Sequence, residues 1–455
     1  MEPSRPYNAA PMARDFASLT TSHDGSRALL LEPQRPICQG DLPLDTYDEA
    51  MRPYAESYLH LPDRTPETVL PWLDQFIEPA LRTLGPQVLL LAHFYMGGEI
   101  VKLVERYGGS VADSYALALL ARDHEADHIV ESAVHFMAET AAILARDEQS
   151  VWITNPRAGC TMEMMADPAD VQPTIDALQH RFGDDVVVLT YMNTSGALKA
   201  LAGRTGGAVC TSSNAHHVMA GLLESHPDAR MVFLPDEHLG RNTAHRLGMD
   251  LSRVVKLPAP RPGVPALADM SDSQLEQAKV LLWNGHCGVH TIFTVDMVNH
   301  WRAEGYEVHV HPESPLDVVN AADGSGSTHY LWNVVTAAKP GSKLAIATEG
   351  HFIANAARVG KSRDVDVVHL ADVPGEAMAG CGCATMSRND PPHLAGTLDL
   401  LARGCPPEAH RVLPGDRVDH ATGQRVRLPD ADRQRLKSEA ATALHRMITM
   451  TESAS

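Results

Sequence analysis

Beyond about residue 86 the chain alternates two patterns: short runs of consecutive apolar residues, and longer stretches whose apolar positions recur every three or four residues. The short runs are rich in Val, Ile and Leu and end in polar residues, which predicts strands over 87–95, 128–134, 151–156, 186–193, 208–213, 231–236, 279–285, 307–313, 343–349 and 365–372. Between them, 97–108, 135–147 and 294–305 carry helical spacing. Strands that are apolar at consecutive positions are covered on both faces, so the alternation predicts an α/β fold of parallel sheets sandwiched between helices. Residues 1–85, rich in proline and charge and without a strand pattern, read as an extension that leads into or wraps this body, and 401–455 as a tail.

The polar strand ends repeat in order. His93 ends a strand, Ser114 follows in "VADS", and Cys160 comes after the strand ending "TNP". Tyr191 and Asn193 end a strand, Ser212 follows in "TSSNA", and Cys287 comes after "VLLWNG". His311 and Glu313 end a strand, Thr328 follows in "GSGST", and Cys383 comes after "VVHLAD". Open α/β sheets place ligands beyond the carboxyl ends of their strands, so the recurrence predicts three similar domains, 86–180, 181–290 and 291–400, facing a common centre.

Composition narrows the chemistry. A formal charge of −19 repels polyanions, which argues against nucleic acid or an anionic membrane surface as partner. No apolar run approaches the roughly 18–20 residues of a membrane span. The first residues, with Arg5, Arg14 and Asp15, lack the apolar core of a secretory signal, so a cytoplasmic location is expected. Seven cysteines, an odd and scattered set, point away from a disulfide framework and toward metal, catalysis or core packing. Three single cysteines, one per domain, lack the paired CxxC spacing of structural zinc sites. An iron-sulfur cluster held by only three thiolates would keep one iron open for Lewis-acid chemistry. Spacing by itself leaves these alternatives open.

The phrases around those cysteines add a resemblance. "AHFY", "SAVHFMAET", "AGCTMEMM", "TYMNTSGALKA", "CTSSNA", "VFLPDEHLGRNTA", "LWNGHCGVH", "HPESP", "GSGSTHYL", "IATEG" and "CATM" occur in the order found in quinolinate synthases, from about residue 88 to 390. The resemblance implies three pseudo-symmetric αβα sandwich domains arranged as a triangle around a central active site with a 4Fe-4S cluster. It implies condensation of iminoaspartate with dihydroxyacetone phosphate to quinolinate, releasing phosphate and water, in NAD biosynthesis. An aspartate-oxidising enzyme would be a functional partner.

Carried over by motif, Cys160, Cys287 and Cys383 match the cluster ligands. His93, Ser114, Tyr191, Met192, Asn193, Ser212, His311, Pro312, Glu313 and Thr328 match substrate-binding positions, with Tyr95, Tyr191, His311 and Glu313 as the catalytic group. In "GCGC" the residue followed by "ATM" is Cys383, so it, not Cys381, is the third ligand by this resemblance. The chain departs from the family at Met96, commonly glutamine, and at Ala384, commonly proline. Lys199 and Arg241 are nearby cations for an anionic substrate, with structural roles at least as well supported. His135 and Glu139, one helical turn apart, lack a second histidine and read as packing or interface residues. Two rivals to the enzyme stand: a non-catalytic iron-sulfur sensor or scaffold on the same fold, and a zinc-dependent hydrolase.

Overall fold

The structure is a computed structural model and describes residues 42–62, 66–375, 382–419 and 424–454. Its core is three largely parallel sheets flanked by helices. The first contains β1 (Val88–His93), β2 (Ser110–Ala112), β3 (His128–Ser132) and β4 (Ser150–Ile153). The second contains β5 (Val186–Tyr191), β6 (Ala208–Cys210), β7 (Arg230–Leu234), β8 (Val254–Lys256) and β9 (Val280–Leu282). The third contains β10 (Glu307–Val310), β11 (Gly324–Ser325), β12 (Lys343–Ala347) and β13 (Asp366–His369).

The three sheets repeat one strand order. Neighbours run β2-β1-β3-β4, β6-β5-β7-β9 and β11-β10-β12-β13, all paired in parallel, with β8 added outside β9. Every strand expected from the apolar runs is present, and each ends two or three residues early. At β1, β5 and β10 the polar ends that leave the ladder line a shared cavity, while Thr154 and Asn155 after β4 bond to Asn389 and Arg388 and Asp236 after β7 caps a helix. Strands β2, β8 and β11, only two or three residues long, carry too little pattern to be read from sequence.

The described segments outside 86–400 are built into this body. Helix Pro66–Leu84 packs on helix Pro391–Ala402, and the Tyr54 hydroxyl donates to Asp399 Oδ2 at 2.5 Å. Tyr47 stacks on His393, ring centroids 4.7 Å apart, while His410 Nε2 meets Asp48 Oδ2 at 2.8 Å. Strand β14 (Arg411–Val412) adds antiparallel to the free edge of β4. Helix Asp430–Ser453 lays Ala440, Ala443, Leu444, Met447 and Ile448 against helix Gly196–Arg204 and β6. Gly203 permits this approach, since a Cβ there would collide with the Glu439 carbonyl.

Burial makes that C-terminal helix part of the core. Leu444→Ala removes a side chain with 0 % exposure and is expected to cost about 2–5 kcal/mol of stability, read as a shift in urea midpoint. A cost inside the scatter of surface substitutions would show the helix to be an appendage.

Candidate active site

The carboxyl ends of all three sheets face one cavity with about 660 Å³ of atom-free space. The first strand of each sheet delivers a pair of polar residues two positions apart: His93 and Tyr95, Tyr191 and Asn193, His311 and Glu313. The second strand leads to a hydroxyl, Ser114, Ser212 or Thr328, and the last to a cysteine, Cys160, Cys287 or Cys383. These predicted residues all line the cavity. Met192 and Pro312 do not. Met192 is buried in the core with its N–H donated to the Cys210 carbonyl at 2.8 Å, and the Pro312 carbonyl accepts from the Asn242 side chain at 2.8 Å.

Helix starts explain the hydroxyls. Ser114 and Thr328 are first residues of helices Ser114–Asp123 and Thr328–Ala337. Capping falls to their predecessors: Asp113 accepts from the Ala116 N–H and Ser327 from the Tyr330 N–H. Ser212 sits in a turn held by Asn214, whose Oδ1 accepts from Thr211 N–H at 2.7 Å and whose Nδ2 donates to Thr451 Oγ1 at 3.0 Å. That last contact comes from the C-terminal helix.

Glu313 is the electrostatic centre. Burial would push its pKa up, but the His290 and His311 imidazoles, with hydrogen bonds from His290 and Tyr191, bring it down to about 2. The Tyr191 hydroxyl donates to Glu313 Oε1 at 2.6 Å, and His290 Nδ1 stands 2.9 Å from Oε2. His290 Nε2 is 3.1 Å from Thr348 Oγ1, which lies 2.7 Å from the Tyr95 hydroxyl, and Thr328 Oγ1 donates to Tyr95 at 3.2 Å. One line of polar contacts therefore joins Thr328, Tyr95, Thr348, His290, Glu313 and Tyr191. Burial, reinforced by Glu313, pushes both tyrosine hydroxyls well above their ordinary pKa, so they remain protonated donors.

Two histidines are held neutral. Burial lowers His93 to about 4, and burial with the neighbouring His290 lowers His311 to about 3. The Tyr95 N–H donates to His93 Nδ1 at 3.1 Å and the Glu313 N–H to His311 Nδ1 at 3.4 Å. Each imidazole therefore keeps its proton on Nε2.

The three thiols are free and come from three different sheets. Burial raises the pKa of each, and repulsion from the other cysteines adds to this for Cys287. Soft, mutually repelling donors of this kind fit a multinuclear metal centre, whose positive charge would let them deprotonate. A second grouping is present: the ligand atoms of Cys287, His290 and Glu313 lie within 4.8 Å of one another. Cys381 lies outside the described residues. Of the departures, Met96 is fully buried and Ala384 is exposed; the next residue's Thr385 Oγ1 lies 3.2 Å from Cys383 Sγ.

The candidate cations stay away from the cavity. Lys199, fully buried, donates to the Thr194 carbonyl and offsets the carboxylates of Glu139 and Glu163, and Arg241 pairs with Glu237 at 3.1 Å. Glu139 accepts N–H groups from Gly196 at 2.7 Å and Gly415 at 2.8 Å, and the ligand atoms of His135, Glu139 and Glu163 lie within 4.8 Å of one another. His290, Thr348, Asp236 and Glu349 were not singled out in the sequence. His290 stands in "GHCGVH" and Glu349 in "IATEG", so their motifs were visible while their contacts were not.

Fold and site together define an α/β enzyme with a thiol-lined active cavity opposed by carboxylate, imidazole and phenol groups. A sequence model of the family described as NadA, quinolinate synthetase A protein, matches residues 79–408. The quinolinate synthase of Corynebacterium glutamicum is 43% identical over 336 residues, covering 73% of this chain and 81% of its own. That of Halalkalibacterium halodurans is 39% identical over 347 residues, covering 76% and 89%. The Streptomyces coelicolor enzyme is 38% identical over 357 residues, covering 77% and 86%. The chain belongs to the quinolinate synthetase A family.

The neutral histidines set an acid limit. Their folded pKa values lie below the ordinary 6.5, so below that pH the unfolded chain takes up protons that the folded one refuses. Stability is expected to fall from pH 6.5 toward 4, by roughly 2 kcal/mol per histidine at pH 5. Urea midpoints at pH 7 and 5 should differ less in His311→Gln than in the parent. Equal differences would contradict a neutral buried His311.

Proposed function

We propose that the protein forms quinolinate from iminoaspartate and dihydroxyacetone phosphate, with release of phosphate and water, using a 4Fe-4S cluster held by Cys160, Cys287 and Cys383. The observation that carries this is the convergence of one cysteine from each sheet on a cavity whose other wall holds Tyr95, Tyr191, His311 and Glu313. Such a cluster would supply an open iron as Lewis acid for loss of water.

The chain's own residues would do the rest. Glu313, ionised and buried, is the acceptor that holds and orients the Tyr191 hydroxyl, the nearest proton source for a substrate oxygen. His93 and His311, neutral and protonated at Nε2, donate to carboxylate or carbonyl oxygens. Among the described residues, no lysine or arginine lines the cavity. The substrates' anionic groups would instead meet Asn193, the hydroxyls of Ser114, Ser212 and Thr328, and the N–H groups opening helices Ser114–Asp123 and Thr328–Ala337. Met192 and Pro312 would act only through the backbone that shapes this wall.

Iminoaspartate is the imine produced by oxidising aspartate, so an aspartate-oxidising enzyme would supply it. Reduced thiols suit a cytoplasmic setting, and no described helix is long and apolar enough to cross a membrane.

The grouping of Cys287, His290 and Glu313 supports one other reading, a single metal ion such as zinc. Anaerobic purification separates the two: a brown protein with about four irons per chain is expected, against a colourless one with about one zinc. The iron-loaded protein should convert the two substrates to quinolinate. Full iron content without quinolinate would leave only the sensor or scaffold reading. Tyr191→Phe should keep its iron and lower kcat by roughly a hundredfold or more, whereas near-parental turnover would remove Tyr191 from the proton path.

A further inference from the structure

Two buried carboxylates outside the proposed acid–base group touch the cysteine loops. Asp236 follows β7 and Glu349 follows β12, the third strand of their respective sheets. Each is the N-cap of the next helix: Asp236 Oδ1 accepts from Leu239 N–H at 2.6 Å and Glu349 Oε2 from Phe352 N–H at 3.0 Å. The second oxygen of each reaches further along the chain. Asp236 Oδ2 accepts from the Cys287 N–H at 3.1 Å, and Glu349 Oε1 from the Cys383 N–H at 2.7 Å.

Capping needs only one oxygen and is commonly done by exposed Ser, Thr, Asn or Asp. These carboxyl groups are 0 % and 1 % exposed, a costly place for polar oxygens unless both are satisfied. The backbone around them is fitted to the second contact. A Cβ on Gly382 would fall 2.5 Å from the His351 ring and 2.9 Å from Glu349 Oε1, so the glycine of "CGC" lets the Cys383 loop lie against the acid and the imidazole paired with it at 2.7 Å. Gly285, two residues before Cys287, pairs with Asp236 as an isolated parallel bridge. In the first sheet the equivalent cap is Val134, and the tie is made by backbone alone, His135 N–H to the Ala158 carbonyl at 2.8 Å.

We propose that Asp236 and Glu349 are positioning residues for the metal centre, each clasping a cysteine backbone so that Cys287 and Cys383 present their thiolates from fixed loops. The proposal rests on the reading that Cys160, Cys287 and Cys383 hold a cluster. An amide substitute keeps one acceptor oxygen but turns its NH₂ toward an N–H donor, so it cannot serve the helix and the cysteine together.

The full-length protein is loaded anaerobically, checked for folding by far-UV circular dichroism, and followed as an iron chelator strips it. Asp236→Asn and Glu349→Gln are expected to release iron roughly ten- to hundredfold faster than the parent, with altered electron paramagnetic resonance lines of the reduced cluster. Asp167→Asn, which makes the same acid-to-amide change at the cap of helix Pro168–Phe182 but touches no cysteine, should release iron at the parental rate. If the amide variants fail to fold, Asp236→Glu and Glu349→Asp retain the carboxyl group and move its oxygens by one methylene, and faster release is again expected. Parental release rates and unchanged resonance lines in the folded variants, with the parent fully loaded, overturn the proposal. A parent that binds no iron instead overturns the cluster reading beneath it.

Discussion

A charged carboxylate in a nearly dry place organises this molecule. Glu313 is 3 % exposed, and burying an ionised carboxylate costs several kcal/mol unless its oxygens are met. They are met by groups from elsewhere in the fold: Tyr191 from the second sheet on one oxygen and His290 on the other, with His311 from its own strand end stacked on His290 at 4.4 Å between ring centroids. The charge therefore constrains how the second and third sheets meet. It also disfavours a second negative charge nearby, which is why it leads the neighbouring charges that hold the Cys287 thiol protonated. Carboxylate and thiolates can share this cavity only if positive charge lies between them.

The repeated strand order supplies three equivalent sets of strand ends, and the chain fills them differently. Equivalent first strands end in His93 and Tyr95, Tyr191 and Asn193, or His311 and Glu313. Equivalent fourth strands all lead to cysteine. The architecture is thus close to threefold where sulfur is offered and asymmetric where protons are moved. A symmetric donor set suits a compact inorganic centre, and an asymmetric wall is what a substrate with two different ends requires.

Much of this was legible in the residue order. Continuous apolar runs announce parallel strands because burial on both faces removes alternation, and the polar residues closing the first run of each sheet line the cavity. The repeat of strand end, hydroxyl and cysteine foretold the convergence. What stayed hidden depended on contacts between residues far apart in the chain. His290 is one of 24 histidines until Glu313 is found beside it, and Thr348 is an ordinary strand-end threonine until Tyr95 arrives from another sheet. The short strands β2 and β11 form because longer neighbours template them, and no local pattern records that. The proline-rich start and the tail hid their helices for another reason: their apolar faces match surfaces supplied by other segments.

The C-terminal helix separates two meanings of a boundary. The family match ends at residue 408, yet helix Asp430–Ser453 buries a row of apolar side chains, and its last turn reaches Asn214 beside Ser212. A chain cut where that match ends would expose that seam and release the serine turn, so the span of the family model is smaller than the unit of folding. Whatever is fused after residue 455 hangs from a helix whose final turn helps to shape the cavity wall.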